Sequence, residues 1–524
     1  MRTLAQTIAW HAQERPDAPA FLCEDERLSW RDYHERSDAL AGALVAAGLA
    51  RGERVAVWLP DGPGVHVAFA GVEKAGCVIV GIGPRAGRDE LRHLLRKTRA
   101  RALVARETGH ERELPGLAAE LGAEGQQLAL MACDGHFAAG DRIFAAARDA
   151  PRGAALAAAI RARALAADEL WLLNSTSGTT GLPKCVMHDQ RRWIRYHELA
   201  LEAGGFTRDD VFCSALPAPF GFGIWTAHTT PTLLGAPTVL LPRFDADALV
   251  RAIERERVSV LAAVSTQFIL MLNSPELAVR DVSSLRCLFT GGEAVPYERA
   301  AEFEERTGAC VLQFYGSNET GALSRTTPSD PREKRLRTAG RPIPSMQLRL
   351  YDEAGNDVTA SGRGQPACKG PVTSQGYYED EAANQKLYTR DGWMLTGDIG
   401  ELDADGYLRI VGRVADFIIR GGKNISGALV EELVASHPAV ALCAAVAMPD
   451  PVFGERVCAY VELVPGASLD LAGLRAHLDA RGVSREYWPE RLELSGSLPR
   501  ASGGKLAKGA LRQDIRDKLA KERP

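Results

Sequence analysis

Short apolar segments alternate with amphipathic, helix-like segments through the first third of the chain, and this alternation restricts the fold more than any other feature. The segments, helix-like and strand-like in turn, comprise residues 30–47, 55–59, 65–74, 77–81, 88–97 and 102–105. Strand, helix and strand in succession need crossover connections, which build a mainly parallel sheet. The pattern returns over residues 238–264 and 285–289. We therefore expect an α/β fold with parallel sheets flanked by helices.

Three other parts of the chain have different sequence patterns. Residues 106–168 are rich in Ala, Arg and Gly and carry no chemical motif, which predicts helix and loop. Short strand-like runs between turn sequences over residues 347–410 predict a small antiparallel unit. From about residue 414 the chain has strand and helix signals of its own, enough for a compact domain of roughly 100 residues.

The bulk composition excludes several classes of protein. The chain is 46% hydrophobic and 25% charged, with a net charge of -4, which does not favour a nucleic-acid or membrane-surface protein. Its first residues lack the apolar core of a signal peptide, and no run approaches the roughly 20 apolar residues of a membrane span. The ten Cys are scattered without a Cys-x-x-Cys pair, which indicates neither a zinc site nor a disulfide framework. We expect a reduced cytoplasmic enzyme, a monomer or homodimer.

A loop rich in small and hydroxyl residues follows the apolar run at residues 170–173. Residues 176–184 read Thr-Ser-Gly-Thr-Thr-Gly-Leu-Pro-Lys. Small residues let backbone N–H groups approach an anion, hydroxyls add donors, and the lysine adds positive charge. The loop is not a Walker A sequence, because Leu-Pro separates its last glycine from the lysine. It predicts phosphate binding by Thr176, Ser177, Gly178, Thr179, Thr180, Gly181 and Lys184.

Further short motifs follow this loop in a fixed order. They are Gly-Gly-Glu at 291–293, Tyr-Gly-Ser-Asn-Glu-Thr-Gly at 315–321, Gly-Arg-Pro at 340–342, Thr-Gly-Asp at 396–398, Gly-Arg at 412–413, Gly-Gly-Lys-Asn-Ile at 421–425 and Pro-Arg-Ala-Ser-Gly-Gly-Lys at 499–505. Across nearly the whole chain this set resembles the adenylate-forming superfamily of acyl-CoA synthetases, peptide-synthetase adenylation domains and luciferases. The resemblance is closest to ligases of aryl or alicyclic carboxylates.

The resemblance implies two domains and a hinge. Residues 1–413 would form a large domain of parallel sheets with a distorted β-barrel, which binds ATP and the acid. Residues 414–524 would form a small mobile α+β domain that carries the catalytic lysine. The hinge residue, usually Asp or Lys, corresponds to Ala415, and Gly427 stands where the family often has Pro.

The resemblance also implies a role for each motif residue. The nucleotide would contact Gly292, Glu293, Tyr315, Gly316, Asn318, Asp398 and Arg413 besides the phosphate loop. Asp398 would accept hydrogen bonds from both ribose hydroxyls, since a carboxylate has two acceptor oxygens. Magnesium would be bound by Glu319 and Thr179, with help from Thr180. Asn318 replaces the more usual Thr, but its amide can still donate a hydrogen bond to the α-phosphate.

The chemistry explains why such a site needs cations. A carboxylate must attack the α-phosphate of ATP although both are negative, a repulsion of about 1 kcal/mol per charge pair in water at contact and several-fold more within a protein. Lys505 and Glu319 are the predicted catalytic residues. By resemblance, Lys505 bridges carboxylate and α-phosphate oxygens as charge builds in the transition state.

The resemblance places the acid and the coenzyme A in two other segments. The acyl pocket would be lined by Phe220, Gly221, Phe222, Trp225 and Gly291, with help from residues 265–269. The run 219–225 is apolar and aromatic and has no Asp to pair with an ammonium group, which favours an aromatic, alicyclic or medium-chain acid over an amino acid. Coenzyme A would pass Arg420, Gly421 and Gly422.

Three functions remain open. The first is an AMP-forming carboxylate–CoA ligase that uses ATP, Mg²⁺ and coenzyme A. The second is an enzyme that loads the adenylated acid onto a separate carrier protein, since no carrier domain follows Lys505 in this sequence. The third is a nucleotide-binding regulator without catalysis, which the presence of Lys505, Glu319 and Asp398 disfavours.

Overall fold

The computed structural model describes residues 2–106, 113–133, 153–175, 183–293, 295–413, 416–421, 423–500 and 505–522. The chain divides into two compact units. The first comprises Met1–Ala262 with Pro371–Lys386, and the second comprises Ala263–Gly370 with Leu387–Pro524. The predicted boundary between residues 413 and 414 stays a prediction.

A six-stranded sheet in the first unit confirms the predicted strand–helix alternation. In spatial order its strands are Ala129–Cys133, Ala102–Arg106, Arg54–Trp58, Val78–Gly81, Leu170–Ser175 and Cys185–Asp189. All neighbours are parallel except the last pair, which is antiparallel. The strand Ala129–Cys133 lies in the segment that the sequence predicts to be helix and loop. That prediction is wrong there, because pairing with Ala102–Arg106 outweighs the weak strand preference of Ala.

Five shorter strands of the same unit also pair with one another. Their order is Val260–Ala262, Phe212–Ser214, Thr238–Leu240, Pro19–Cys23 and Glu26–Ser29, and only the last pair is antiparallel. The helices of this unit are Leu4–Glu14, Trp30–Ala46, Pro63–Lys74, Arg88–Thr98, Glu113–Ala123, Gly153–Arg163, Gln190–Gly204, Gly221–Gly223, Thr230–Leu234 and Ala246–Glu256, with a π-helix at Ile224–Thr229.

Local chemistry accounts for several of these helices. Ser29 caps the helix Trp30–Ala46, where its side chain accepts from the Asp32 N–H while the Asp32 carboxylate accepts from the Ser29 N–H. The helix Pro63–Lys74 begins with Pro at its first turn and is buried at every residue. Its apolar side chains, among them Val67 and Phe69, are buried in the first unit.

The second unit contains three groups of strands. The strands Cys287–Gly291 and Cys310–Ser317 are parallel, and Gly321–Arg325 and Arg341–Pro342 continue antiparallel from them. A five-stranded antiparallel sheet confirms the unit predicted over residues 347–410. Its strands are Gln347–Tyr351, Arg363–Lys369, Met394–Leu395, Asp398–Leu402 and Leu408–Arg413.

The C-terminal part of the second unit forms its own sheet and core. Its strands are Phe417–Arg420, Lys423–Ser426, Val440–Asp450, Gly454–Leu463 and Arg491–Leu494. Apolar side chains such as Ile418, Val430, Val457 and Leu474 form one buried cluster there. The helices of the second unit are Ser265–Leu272, Tyr297–Thr307, Arg332–Arg337, Gly427–Ala435, Leu471–Ala480 and Lys508–Glu522, and the helix Glu381–Leu387 joins the sequence ranges of the two units.

Two further observations concern the whole described chain. None of the described helices is long and apolar enough to cross a membrane. The described cysteines carry free thiols, and most of them are buried.

Candidate active site

Asp398 is a buried carboxylate at the centre of a polar cluster in the second unit. The Tyr315 hydroxyl donates a hydrogen bond to Asp398 Oδ2 at 2.5 Å, and Arg413 Nε lies 3.2 Å from Asp398 Oδ1. Asp398 is only 7% exposed, whereas the Arg413 side chain is 54% exposed. The carboxylate is therefore held from one side by a phenol and from the other by a guanidinium that reaches solvent.

A β-bulge brings Asp398 and Arg413 together. The two residues lie on the antiparallel strands Asp398–Leu402 and Leu408–Arg413, which pair Leu402 with Leu408 and Gly400 with Ile410 near the turn. Continued without change, this register would put Asp398 opposite Gly412. The bulge between Ile399 and Gly400 shifts the pairing by one residue, so that Asp398 stands opposite Arg413. A one-residue shift reverses which face a side chain points to. The bulge therefore decides that these two charges meet.

The electrostatics of the cluster follow from burial and from this pairing. Burial raises the pKa of the Asp398 carboxyl, and the Arg413 guanidinium opposes that rise. Burial and the adjacent Asp398 carboxylate raise the pKa of Tyr315 well above its usual value, which keeps its hydroxyl protonated. Tyr315 is thus a fixed donor to Asp398 at neutral pH.

Lys505 packs against Gly292, the residue that follows the strand Cys287–Gly291. A Cβ atom on Gly292 would lie 3.0 Å from Lys505 Nζ and 3.4 Å from its Cε, and Gly292 has a φ of +78°. Any side chain at this position would therefore press on the lysine and strain the backbone. Gly292 leaves the space that Lys505 occupies.

Charged groups of both signs surround Lys505. Burial and the nearby Arg413 lower the pKa of its ammonium group, while Glu293, Asp398 and Glu319 act in the opposite direction. Burial raises the pKa of the Glu293 carboxyl. The Lys505 ammonium group and a hydrogen bond from the Thr266 backbone N–H act against this rise. The second unit therefore collects two cations and three carboxylates around one position, and the two cations can offset the charge that builds on a reacting anion.

The turn at residues 317–320 places Glu319 beside this cluster. The Ser317 N–H donates to Thr320 Oγ1 at 2.9 Å, and the Glu319 N–H donates to Ser317 Oγ at 3.2 Å. Asn318 lies in the same turn. Just before it, a Cβ on Gly316 would lie 1.7 Å from the Gly321 carbonyl oxygen, so only glycine permits this hairpin. The Glu319 carboxylate also interacts electrostatically with Arg413, so its negative charge lies near the charges of this cluster.

The described residues form no group of three or more His, Cys, Asp or Glu side chains that could hold a metal ion. Magnesium bound with a nucleotide takes one or two carboxylates and completes its shell with phosphate oxygens and water. Glu319, a carboxylate in a turn beside the cationic cluster, fits that donor set.

The predicted phosphate-loop residues 176–181 lie outside the described part of the chain. Lys184 is described and belongs to the first unit, directly before the strand Cys185–Asp189. Its ammonium group lies 4.6 Å from the centroid of the Tyr377 ring, a cation–π contact. The strand Leu170–Ser175 ends where this loop begins, as the sequence predicts.

The predicted acyl segment also belongs to the first unit. Phe220 and Phe222 are half-buried, and Trp225 is 4% exposed and packs edge-on against Tyr196 with ring centroids 4.8 Å apart. The segment passes from the short helix Gly221–Gly223 into the π-helix Ile224–Thr229. Single π-helical turns often occur at functional sites. Gly291, also predicted for the pocket, belongs to the second unit.

The predicted coenzyme A segment is tied into the C-terminal sheet. Arg420 Nη1 donates to Glu490 Oε1, and Arg420 Nη2 donates to the Glu486 carbonyl oxygen, both at 2.5 Å. Gly421 has a φ of +58° and its N–H donates to the Phe453 carbonyl oxygen at 2.8 Å. Gly422 and the predicted hinge residue Ala415 lie outside the described residues.

Matches to two protein-family models show to which family the chain belongs. The model described as AMP-binding enzyme matches residues 8–378, and the model described as AMP-binding enzyme C-terminal domain matches residues 429–505. The chain belongs to the AMP-binding enzyme family. The predicted adenylate-forming superfamily and the predicted enzyme class, an AMP-forming ligase, are confirmed.

Relatives of this AMP-binding enzyme match it over nearly its full length. Pyochelin synthase PchD of Pseudomonas aeruginosa (strain UCBPP-PA14) is 33% identical over 523 residues, 99% of this chain and 93% of the relative. The medium-chain fatty-acid–CoA ligase of Escherichia coli (strain K12) is 30% identical over 489 residues, 93% of this chain and 85% of the relative. The crystal structure of ATP-bound MatB from Rhodopseudomonas palustris matches with a TM-score of 0.84 and 26% identity, and covers 98% of this chain and 99% of that chain. The predicted fold class is confirmed.

The predicted site residues of this AMP-binding enzyme are only partly brought together. The second unit gathers Gly292, Glu293, Tyr315, Gly316, Asn318, Glu319, Asp398, Arg413 and Lys505, while Phe220, Gly221, Phe222, Trp225 and Lys184 belong to the first unit. Sequence reasoning missed Asp61, whose carboxylate accepts a hydrogen bond from the Ala218 N–H just before the acyl segment. Its position directly after a buried parallel strand was the available signal, since ligands of α/β proteins bind at that edge.

Proposed function

We propose that the protein is an ATP-dependent carboxylate–CoA ligase. It forms an acyl adenylate with release of pyrophosphate and then transfers the acyl group to coenzyme A with release of AMP. The observation that carries the proposal is the approach of Lys505 to Gly292 beside the Tyr315–Asp398–Arg413 cluster. These groups can hold a ribose and neutralise the reacting phosphate.

Asp398 binds the ribose in this proposal. Each oxygen of its carboxylate already has one partner, Tyr315 or Arg413. A carboxylate offers about four acceptor positions, so two remain for the vicinal ribose hydroxyls. Tyr315 and Gly316 flank the adenine together with residues 291–293.

Lys505 acts where the acid meets the α-phosphate. Its ammonium group contacts one carboxylate oxygen and one phosphate oxygen and offsets the charge that builds on both. Arg413 adds a second positive charge, and Glu293 and Asp398 oppose the lowering of the lysine pKa that burial causes. Glu319, with Thr179 and Thr180, would hold a magnesium ion carried in by ATP, which supplies additional positive charge at the phosphates.

Transfer to the thiol uses the C-terminal segment. The proposed domains comprise residues 1–413 and 414–524, and Ala415 acts as the hinge between them. The glycine-rich segment Arg420, Gly421 and Gly422 borders the path of the pantetheine arm, because small residues permit a close approach. The thiol itself is the nucleophile, so none of the cysteines needs a catalytic role.

The acid is an aromatic, alicyclic or medium-chain carboxylic acid. Phe220, Phe222 and Trp225 offer apolar and aromatic surface, and no Asp or Glu stands among residues 219–225 to pair with an ammonium group. The similarity to a medium-chain fatty-acid–CoA ligase supports an apolar acid.

Loading of a separate carrier protein is the second candidate. It is favoured by similarity to the salicyl-AMP ligase / salicyl-S-ArCP synthetase of Mycobacterium tuberculosis (strain ATCC 25618 / H37Rv), which is 32% identical over 97% of this chain. Both candidates share the adenylation step and differ in the thiol that accepts the acyl group.

A panel of benzoate, cyclohexanecarboxylate and octanoate, assayed for AMP release with and without coenzyme A, tests the proposal. We expect coenzyme A to increase AMP release severalfold with at least one acid and to yield the acyl-CoA. AMP release stimulated by a phosphopantetheinylated carrier protein but not by coenzyme A would favour the second candidate.

A further inference from the structure

A tight turn precedes the acyl segment in the first unit. The Phe220 N–H donates to the Pro217 carbonyl oxygen at 3.2 Å, which closes the turn at residues 217–220. The Ile224 N–H then donates to the Phe220 carbonyl oxygen at 2.8 Å and starts the helical segment. Because the helix begins directly at the turn, the position of the turn sets where the Phe220 and Phe222 side chains stand.

The Asp61 carboxylate holds this turn through one hydrogen bond. The Ala218 N–H donates to Asp61 Oδ1 at 3.1 Å, across 157 residues of sequence. Ala218 is 2% exposed, so its N–H has little access to water. A buried N–H that loses its acceptor costs about 1–3 kcal/mol, which the turn can avoid by moving.

Two glycines hold the same turn by close packing. A Cβ on Gly81 would lie 3.3 Å from Pro219 Cβ, tighter than an ordinary contact. A Cβ on Gly223 would lie 2.1 Å from the Pro217 carbonyl oxygen, an outright clash. The turn therefore fits against Gly81 on one side and Gly223 on the other, with Asp61 as its polar anchor.

Asp61 and Gly81 both lie at the carboxyl-terminal edge of the six-stranded sheet. Asp61 follows the strand Arg54–Trp58, and Gly81 ends the parallel strand Val78–Gly81. The next parallel strand, Leu170–Ser175, leads into the phosphate-loop sequence. In α/β folds this edge of the sheet is where ligands bind.

We propose that Asp61 is a positioning residue for the carboxylic-acid substrate, which fixes the turn at residues 217–220 and thereby Phe220 and Phe222. This inference rests on the proposed function, in which the segment lines the acyl pocket. Asp61 itself need not touch the acid.

The test compares Michaelis constants in acid-dependent pyrophosphate exchange with benzoate, cyclohexanecarboxylate or octanoate, whichever the wild type uses best. Asp61→Ala should raise the KM for the acid about tenfold and leave the KM for ATP within twofold. Asp61→Asn keeps an oxygen that can accept from Ala218 and should restore the KM for the acid to within about threefold of wild type. A merely destabilising change would not produce this split or this rescue.

Two further variants keep the test decisive. Asp25→Ala removes an exposed carboxylate of the same unit and should change neither KM. Gly81→Ala pushes on Pro219 while leaving Asp61 intact, so it should raise the KM for the acid alone even if Asp61→Ala folds poorly. Equal KM values for the acid in wild type, Asp61→Ala and Gly81→Ala would overturn the inference.

The wild-type control separates the two levels of inference. If the wild type exchanges pyrophosphate with no acid of a broad panel that includes these three, the proposed function and this inference fail together. If the wild type exchanges and the variants match it, only the role of Asp61 is refuted.

Discussion

Asp398 and Arg413 stand directly opposite each other on antiparallel strands, with Arg413 Nε 3.2 Å from Asp398 Oδ1. Asp398 is buried and Arg413 is half exposed, so the pair forms a charged contact that opens toward solvent on the arginine side. The Tyr315 hydroxyl completes the cluster. A buried carboxylate with unused acceptor positions, flanked by a phenol and a guanidinium, is suited to bind the diol of a ribose.

Removing the Tyr315 hydroxyl should weaken nucleotide binding. Tyr315→Phe deletes the 2.5 Å hydrogen bond to Asp398 and leaves a buried carboxylate with one partner fewer. Without this donor the Asp398 carboxylate is no longer held in the position that would bind the ribose, so the Kd for ATP should rise about tenfold. Isothermal titration with ATP measures this. Tyr297→Phe, on a helix of the same unit, is the control and should leave the Kd unchanged. An unchanged Kd in Tyr315→Phe would separate this cluster from the nucleotide.

Lys505 should matter for one half-reaction only. In Lys505→Ala, adenylate formation should fall by about two to four orders of magnitude, because a preorganised charge at the reacting phosphate is lost. Thioester formation from preformed acyl adenylate should largely survive. Rapid-quench assays of the two half-reactions check this, with the exposed Lys521→Ala as the matched control. Equal losses in both halves would contradict the assigned role.

Gly316 should be irreplaceable for packing reasons. Gly316→Ala would put a Cβ 1.7 Å from the Gly321 carbonyl oxygen and force the hairpin apart. We expect a loss of about 2–4 kcal/mol in the free energy of unfolding, measured by urea denaturation. Gly496→Ala, in the same unit and with nothing within 4 Å of its Cβ, should change the free energy of unfolding by less than about 0.5 kcal/mol. Similar values for both variants would show that the hairpin tolerates a side chain.

Because of Asp61, the free energy of unfolding should decrease as the pH rises through about 6. Burial raises its pKa to about 6, so the folded state disfavours the ionised form. Its contribution to stability is present below the usual pKa of the unfolded chain and is lost as pH rises through about 6. Asp61→Asn removes this dependence. Between pH 4.5 and pH 7.5 its free energy of unfolding should therefore gain about 2 kcal/mol relative to wild type. Urea denaturation at both pH values checks the difference, and an equal change in both proteins would contradict the raised pKa.

Periodicity in the sequence predicts most of the regular elements. The helices at Trp30–Ala46, Pro63–Lys74 and Arg88–Thr98 lie within a few residues of their predicted bounds, since an apolar face and a cap such as Ser29 are local properties. The strand Ala129–Cys133 could not be predicted in this way. Its residues have weak strand preference, and the segment becomes a strand because it pairs with the strand Ala102–Arg106.

The sequence predicts which residues belong to the site, but it does not predict how they are arranged in space. Motif order points to Tyr315, Asp398 and Arg413, but the contact between Tyr315 and Asp398 joins residues 83 positions apart and depends on packing. The pairing of Asp398 with Arg413 depends on the bulge at Ile399 and Gly400, which no sequence pattern indicates. Asp61 was overlooked because its role depends on a backbone N–H of a distant turn.

The central claim is that this chain joins a carboxylic acid to AMP. Acid-dependent exchange of labelled pyrophosphate into ATP, measured with benzoate, cyclohexanecarboxylate and octanoate, tests it most directly. We expect exchange with at least one of these acids by the wild type and a loss of at least about a hundredfold in Lys505→Ala. Absence of exchange with every acid of a broad panel, from folded protein that binds ATP, would contradict it.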